Sequence, residues 1–261
     1  MAGLETTVAS LPYSKAFFDL QLQFAFTVSG LSNLPRSQGL LDYTNLYIRF
    51  GLGRQFDPAH PIWREYLAGL QDDDGREWTY QFYRTRSVVV VPPNVVATFG
   101  CFSYALLDGD RIRLHFANTD MTGMSPLAVE RRDARLAELS ALFAHAERTT
   151  PTPRTVVGAS WLYNLEAYRR LFPGSYIATA QPIHRRFRYM PLWGQFVDWR
   201  GNLKATVARE FLDRLRQQSS LETLDHCFPL QVLRLEAPIE HLLEFYAAGK
   251  APTAPRSITR H

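Results

Sequence analysis

The sequence has little cysteine: two residues in 261, Cys101 and Cys227, neither in a Cys-x-x-Cys pair. That excludes a disulfide scaffold, a cysteine-based zinc module and a thioredoxin-type redox pair. Cysteines kept as thiols fit a reducing compartment. No apolar run reaches the roughly 18 residues that a membrane-spanning helix requires. The opening MAGLETTVASLPYSK lacks a basic stretch followed by an apolar one, so no secretory signal is read there and a cytoplasmic location is expected. There is no HxH, HxxxH or acidic triplet to hold a metal. FGLGRQ has Gly51 and Gly53 but no third glycine at dinucleotide-loop spacing, and reads as a helix end. GASWL is not the GxSxG elbow of a serine hydrolase.

Nor is there a basic stripe. The net charge of +4 comes mainly from the end of the chain. Without KAPTAPRSITRH, 26 Lys and Arg face 25 Asp and Glu. A nucleic-acid binder concentrates cations on a folded face, so no nucleic-acid partner is expected. What the chain does have is hydrophobic residues, at 46%. That is enough for a sizeable core.

Helical spacing dominates the first 70 residues. SKAFFDLQLQFAFTVSG predicts a helix from Ser14 to Gly30, SQGLLDYTNLYIRFG a second ending at Gly51, and DPAHPIWREYLAGL a third opened by Asp57-Pro58. EWTYQFYRTRSVVVV is aromatic and β-branched and predicts a strand. VVATFGCFSYALL, DGD and RIRLHFAN form the best hairpin pattern. A three-residue loop pairs Leu106 with Ile112, Tyr104 with Leu114 and Phe102 with Phe116; a slip of one residue would exchange faces. That register gathers Cys101, Ser103, Arg113 and His115 on the other face.

SPLAVERRDARLAELSALFAHAER predicts the longest helix, capped by Ser125 with Pro126 at its first position. Next come a strand at RTVVGAS, a helix at WLYNLEAYRRLFPG and two strands in QPIHRRFRYMPLWGQFVDW. A helix capped by Asn202 follows, then Ser219 and Glu222 at capping-box spacing, a strand at LQVLRLEAP and a helix at IEHLLEFYAA. Residues 1–90 thus read as a helical extension with a first strand region, 91–248 as one α+β domain and 249–261 as a disordered tail.

From Asn94 on, the order strand, strand, long helix, strand, short helix, two strands resembles the GNAT superfamily of acyl-CoA-dependent acyltransferases. RLHFANTDMTGMSPLAVERRDARLAEL and ASWLYNLEAYRRLFPGSYIATAQPIHRRFR are similar to the GNAT-like C-terminal domain of some bacterial acyltransferases of uncharacterised substrate. The likeness covers about residues 94–200. It implies a GNAT-like mixed sheet flanked by helices, a donor of acyl-CoA or acyl-carrier protein, and a short helix carrying Asn164, Ala167, Tyr168 and Phe172. It also implies a pyrophosphate facing the start of the long helix, near Asn118, Gly123 and Ser125. There the sequence departs from the family. One glycine stands where the family has a Gly-rich loop, and the acidic Asp120 opposes phosphate.

Each candidate residue has a functional and a structural reading. Tyr168, with Tyr163 as its alternate, reads as the acid that protonates a leaving thiolate or as a core tyrosine. His115 reads as a base or as a sheet histidine, and Cys101 as a nucleophile or a buried thiol. Ser160 and Trp161 end a strand where ligands approach open sheets, or Ser160 caps the next helix. Arg186 and Arg188 form an anion clamp or a solvated face. The leading expectation is transfer of an acyl group from a thioester to an amine, with a small-molecule substrate or acyl-carrier protein as partner and homodimerisation open. The alternatives are a non-catalytic ligand- or protein-binding protein on the same fold, and a Cys/His or Ser/His hydrolase or transferase.

Overall fold

Ser14, in extended conformation, precedes the first helix, α1 (Lys15–Ser32). Gly30 does not stop it; the helix ends at Asn33, which takes the left-handed conformation at φ 56°. The computed structural model describes residues 13–53, 56–70, 75–86, 94–107, 110–120, 122–149, 155–183 and 192–248. Ser87–Val91, the Asp108-Gly109 loop, His184–Tyr189 with Arg186 and Arg188, and the tail 249–261 lie outside them.

The segment after Pro35 is two helices rather than one, α2 (Arg36–Tyr43) and α3 (Leu46–Arg49). The break has a cause. Thr44 turns its hydroxyl back to the Leu40 carbonyl, and the Asn45 amide donates to the buried Gln21 side chain across the core. Helix α4 (Pro61–Gly69) opens at Pro61, with the His60 ring accepting from the Ile62 amide, and not at Asp57-Pro58. Residues 76–84, expected as a strand, form helix α5 (Arg76–Arg84). Their aromatics suit either structure. Packing decides: Phe82 lies 4.9 Å from Phe50 and 5.4 Å from Tyr66, and Tyr83 lies 4.6 Å from Phe18. Tertiary contacts override the strand propensity of such residues.

These helices do not close their own core. Phe24 of α1 meets Trp193 at 5.5 Å, Phe211 at 5.5 Å and Phe228 at 5.3 Å. Trp193 belongs to a buried 3-10 turn, Leu192–Phe196, which stands where a second strand was expected. The first of those two strands is present at Gln181–Ile183, and at the second the described residues show only the bridge Val197 to Leu203. Phe211 belongs to α9 (Ala205–Arg216), whose cap is Lys204, since Asn202 is held in a turn by Asp198. A 3-10 turn at Leu221–Cys227 leads to Phe228, and no side chain caps it. The helices α1 to α5 therefore share one core with residues between 192 and 232.

The second core lies under a six-stranded mixed sheet. Its strands are β1 (Val95–Phe99), β2 (Phe102–Leu106), β3 (Arg111–Phe116), β4 (Thr155–Ser160), β5 (Gln181–Ile183) and β6 (Val232–Pro238), in the order β1-β2-β3-β4-β6-β5. The β2–β3 register is the expected one: Phe102 to Phe116, Tyr104 to Leu114, Leu106 to Ile112. The other pairs are antiparallel except β3 with β4. The fold is thus α+β, a mixed sheet flanked by helices with helices preceding it. The long helix α6 (Arg132–Thr149) begins six residues later than Pro126, after a 3-10 turn at Val129–Arg131. Ala128 is extended at ψ 156°, which keeps Ser125 from capping the helix. Together with α7 (Glu166–Arg169), α8 (Gly174–Ile177) and α10 (Ile239–Ala248), α6 covers the face of Phe102, Tyr104, Ile112, Leu114, Val156 and Leu235. Alternation puts Ser103, Arg113, His115 and Val157 on the other face. Among the described residues no helix is long and apolar enough to cross a membrane.

Phe24 joins the N-terminal helices to the rest, so its truncation tests that union. Phe24→Ala removes a fully buried ring and is expected to cost about 3–5 kcal/mol. Urea denaturation should show it as one cooperative transition at lower denaturant; a separate early transition would mean the helices fold apart.

Candidate functional site at the parting of two parallel strands

Strands β3 and β4 pair through three residues only: Arg111 with Thr155, Ile112 with Val156, Arg113 with Val157. Beyond that point β3 stays with β2 as far as Phe116, and β4 stays with β6 as far as Ser160. The two strands therefore part. The first residue of β4 past the last pair is Gly158, and His115 stands two residues past the last pair on β3.

Different chemistry borders the gap on its two faces. On the face away from α6, His115 lies opposite Ser103 across β2 and follows Arg113. Directly opposed Cβ atoms in such a pair are about 4.5–5.5 Å apart. On the α6 face sit the phenols of Tyr163, Tyr168 and Tyr176. Tyr163 comes from a 3-10 turn at Trp161–Asn164 and Tyr168 from α7, two pieces where one helix was expected; Leu165, extended at ψ 127°, separates them. The Tyr163 and Tyr176 hydroxyls share a hydrogen bond at 3.2 Å, and the Tyr163 and Tyr168 rings meet edge to face at 5.1 Å. A Cβ on Gly158 would fall 2.1 Å from the Tyr163 Oη and 2.4 Å from that of Tyr176. The missing side chain of Gly158 is the space the phenols occupy. Burial, first, and neighbouring phenols push Tyr163 and Tyr168 well above the usual tyrosine range. Burial also raises Tyr176, against the Tyr163 hydrogen bond, which lowers it. All three remain neutral O–H groups at ordinary pH.

The other expected site residues are dispersed. The Ser160 hydroxyl accepts from the Leu162 amide and caps the 3-10 turn. Trp161 packs half-buried on the N-terminal core. Asn164 is a fastener, donating to the Trp161 and Gln231 carbonyls at 2.8 and 2.9 Å. Asn118 donates to the Trp199 carbonyl at 2.8 Å. Ser125 accepts from the Leu127 amide, and Gly123 forms an exposed turn at φ 81°. Arg186 and Arg188 lie outside the described residues.

Cys101 is a correction. It does not share a face with His115. Gly100, at φ 56°, turns the chain, and Cys101 points to α6, buried against Arg135. It joins a compact ionic group. Asp120 accepts from Arg131 Nε at 2.8 Å and lies 3.3 Å from Arg135, which also binds Glu138 at 2.6 Å. The Glu138 carboxylate takes the Cys101 amide at 3.0 Å. Two carboxylates balance two guanidiniums, so their charges cancel. Burial raises the Asp120 carboxyl, but the Thr122 hydroxyl and amide and the Arg131 guanidinium hold it below its ordinary value. Burial dominates at Glu138 and raises it.

Sequence reading missed Gly158, Tyr176 and Arg135. A glycine inside the apolar strand TVVGAS is a sign of close approach, and that signal was present. Tyr176 gave none, because what it reaches depends on the path after Pro173. Among the described residues no group of three or more His, Cys, Asp or Glu could hold a metal. No family model matches the chain, and comparison with curated proteins and with solved structures finds no match.

The ionic group has a pH signature. Asp120 is depressed in the folded state, so its stabilisation is full above the unfolded carboxyl pKa of about 3.9 and disappears as pH falls through the lower folded value. Asp120→Asn leaves the buried Arg135 half-compensated and is expected to cost about 3–5 kcal/mol at pH 7. The difference from wild type should shrink below about pH 3.9. Thermal melts across pH check both; a constant difference would mean the charge is not what matters.

Proposed function

We propose that the chain is an acyltransferase-like protein on a GNAT-like sheet, moving an acyl group from a thioester to an amine. The observation that carries this reading is the pair β3–β4, the one parallel pair among the described strands, joined over three residues and then parted, with an imidazole on one face and neutral phenols on the other. The chain runs β1, β2, β3, α6, β4, α7, α8, β5, α9, β6, so three antiparallel strands precede the long helix where the resemblance implies two, and a helix separates the last two strands.

Transfer of an acyl group from sulfur to nitrogen needs two opposed proton movements. The amine must lose a proton to attack, and the departing thiolate must gain one. An imidazole, with an ordinary pKa of about 6.5, suits the first. His115 takes that role from the open face, next to Ser103. A phenol kept neutral by burial suits the second, and Tyr168, with Tyr163 behind it, takes it. One substrate would have to reach both groups, and since Tyr163 and Tyr168 are buried the aromatic cover must move for the reaction. Cys101 has no part, since it faces α6.

The start of α6 does not fit a nucleotide diphosphate. Arg131 and Arg135 are already engaged by Asp120 and Glu138, and an anion there would have to displace a buried carboxylate. Acyl-carrier protein, whose arm carries no nucleotide, is therefore favoured over acyl-CoA as donor. The same observation favours, as second reading, a non-catalytic binding protein on this fold.

A thermal-shift screen with coenzyme A, acetyl-CoA and acylated carrier protein separates the readings, because a ligand specific for the folded state raises Tm. Carrier protein is expected to stabilise and coenzyme A to leave Tm unchanged. In the active system Tyr168→Phe should lower kcat by about 100-fold with KM nearly constant. Full activity in both Tyr168→Phe and Tyr163→Phe would remove the phenol from the mechanism.

A further inference from the structure

We infer that the cleft between α1, α2 and α4 is a binding site for a small monocarboxylate with a benzene-sized apolar body. The inference stands apart from the acyl-transfer reading, since it concerns the N-terminal helices and not the sheet.

The cleft has a volume of about 150 Å³ and is lined by Phe26, Arg36, Ser37, Leu40, Leu67 and Leu70. Most of that lining is apolar. Leu40 is fully buried. Phe26, Leu67 and Leu70 pack on the N-terminal core yet are only partly covered. A guest that takes such surface out of water is favoured in proportion to the area it covers. An apolar cavity of about 150 Å³ accepts a molecule the size of benzene.

The remaining side is polar and favours negative charge. Arg36 and Ser37 are exposed and are the first two residues of α2. The Arg36 guanidinium lies over the Phe26 ring, 5.1 Å from its centroid, so its charge stands on the cleft wall. The start of the helix adds to it. Pro35 is the N-cap and supplies no capping side chain. The Gln38 and Gly39 amides take the Pro35 carbonyl, so the Arg36 and Ser37 amides stand ahead of the helical ladder. Amides in that position favour an anion. Ser29, one turn along α1 from Phe26, is buried against Gly39 of α2, and its hydroxyl has no hydrogen-bond partner among the described residues. The α1–α2 seam that borders the cleft therefore holds one more polar group unspent.

The two halves together select the occupant. An amine meets charge of its own sign at the rim. A purely apolar guest leaves the rim donors unused. A carboxylate only accepts hydrogen bonds, and it faces donors on α2 while its body covers Phe26, Leu40, Leu67 and Leu70. The preference comes from the field of Arg36 and the helix start, and does not require the Arg36 N–H groups to be free.

Titration of the full chain with benzoate, benzyl alcohol and benzylamine, followed by NMR, tests the site with three guests of one size. Benzoate is expected to bind about tenfold more tightly than benzylamine, or better. It should move the Arg36 and Ser37 amide signals and the methyl signals of Leu40, Leu67 and Leu70. Arg36→Gln should weaken benzoate about tenfold and leave benzyl alcohol unchanged. Leu67→Trp fills the cleft and should abolish the binding of both; if it fails to fold, Arg36→Gln carries the test alone. Equal affinity for the three compounds, or benzoate affinity unchanged in Arg36→Gln, would overturn the carboxylate assignment. Absence of benzoate binding, or shifts confined to other parts of the chain, would overturn the site itself.

Discussion

Strand β4 bonds β6 along its whole length, and that fixes most of what surrounds it. Six consecutive pairs, Thr155 to Pro238 through Ser160 to Leu233, hold β4 to β6, whereas three hold it to β3. A strand so committed on one side can leave its other neighbour at little cost in backbone hydrogen bonds, provided something fills the opening. The covering groups are large and aromatic: Tyr163, Tyr168, Phe172 and Tyr176, all buried. Gly158 makes this compatible with a sheet, since the hydroxyls come as close to the strand as a side chain would. A buried hydroxyl without a partner costs about 1–3 kcal/mol. Tyr163 and Tyr176 avoid that cost by bonding each other.

Charge is handled separately from the aromatic packing. The buried ions near the sheet form one neutral group at the start of α6, tying the loop after β3 and the turn before β2 to the same helix. Removing one member of such a group costs more than the whole group contributes, because the remaining charge stays out of water. The group therefore holds Asp120 in place as firmly as a bound anion would, and it leaves α6 with no open cation at that end among its buried arginines. Structure and binding capacity trade against each other at this helix end.

How far the sequence foretold this depends on how local the cause was. The β2–β3 register could be read because alternation and loop length both act over ten residues. The strand order was legible only in part: VVATFGCFSYALL reads as one strand and forms two, β1 and β2, with Gly100 in the turn between them. The α5 helix could not: Trp78, Tyr80, Phe82 and Tyr83 favour a strand by composition, and only Phe50, Tyr66 and Phe18, distant in sequence, make them helical. The break at Thr44-Asn45 likewise depends on Gln21, 24 residues away. At the site, Tyr163, Tyr168 and His115 were visible as chemistry, whereas Tyr176 and the role of Gly158 came only from proximity. Cys101 was assigned to the wrong face because alternation was carried one residue beyond the strand, into a turn set by Gly100.

A sheet is a poor place to put an acid and a base that must act on one substrate, because its two faces are separated by the backbone itself. Residues on a single face could be neighbours, but both would then share one environment, and the same burial that keeps a phenol neutral would also hinder an imidazole from carrying charge. On the acyl-transfer reading, the parting of β3 and β4 would answer that conflict. A dry aromatic layer on the α6 side holds O–H groups neutral, and His115, Ser103 and Arg113 form a partly buried polar layer on the other.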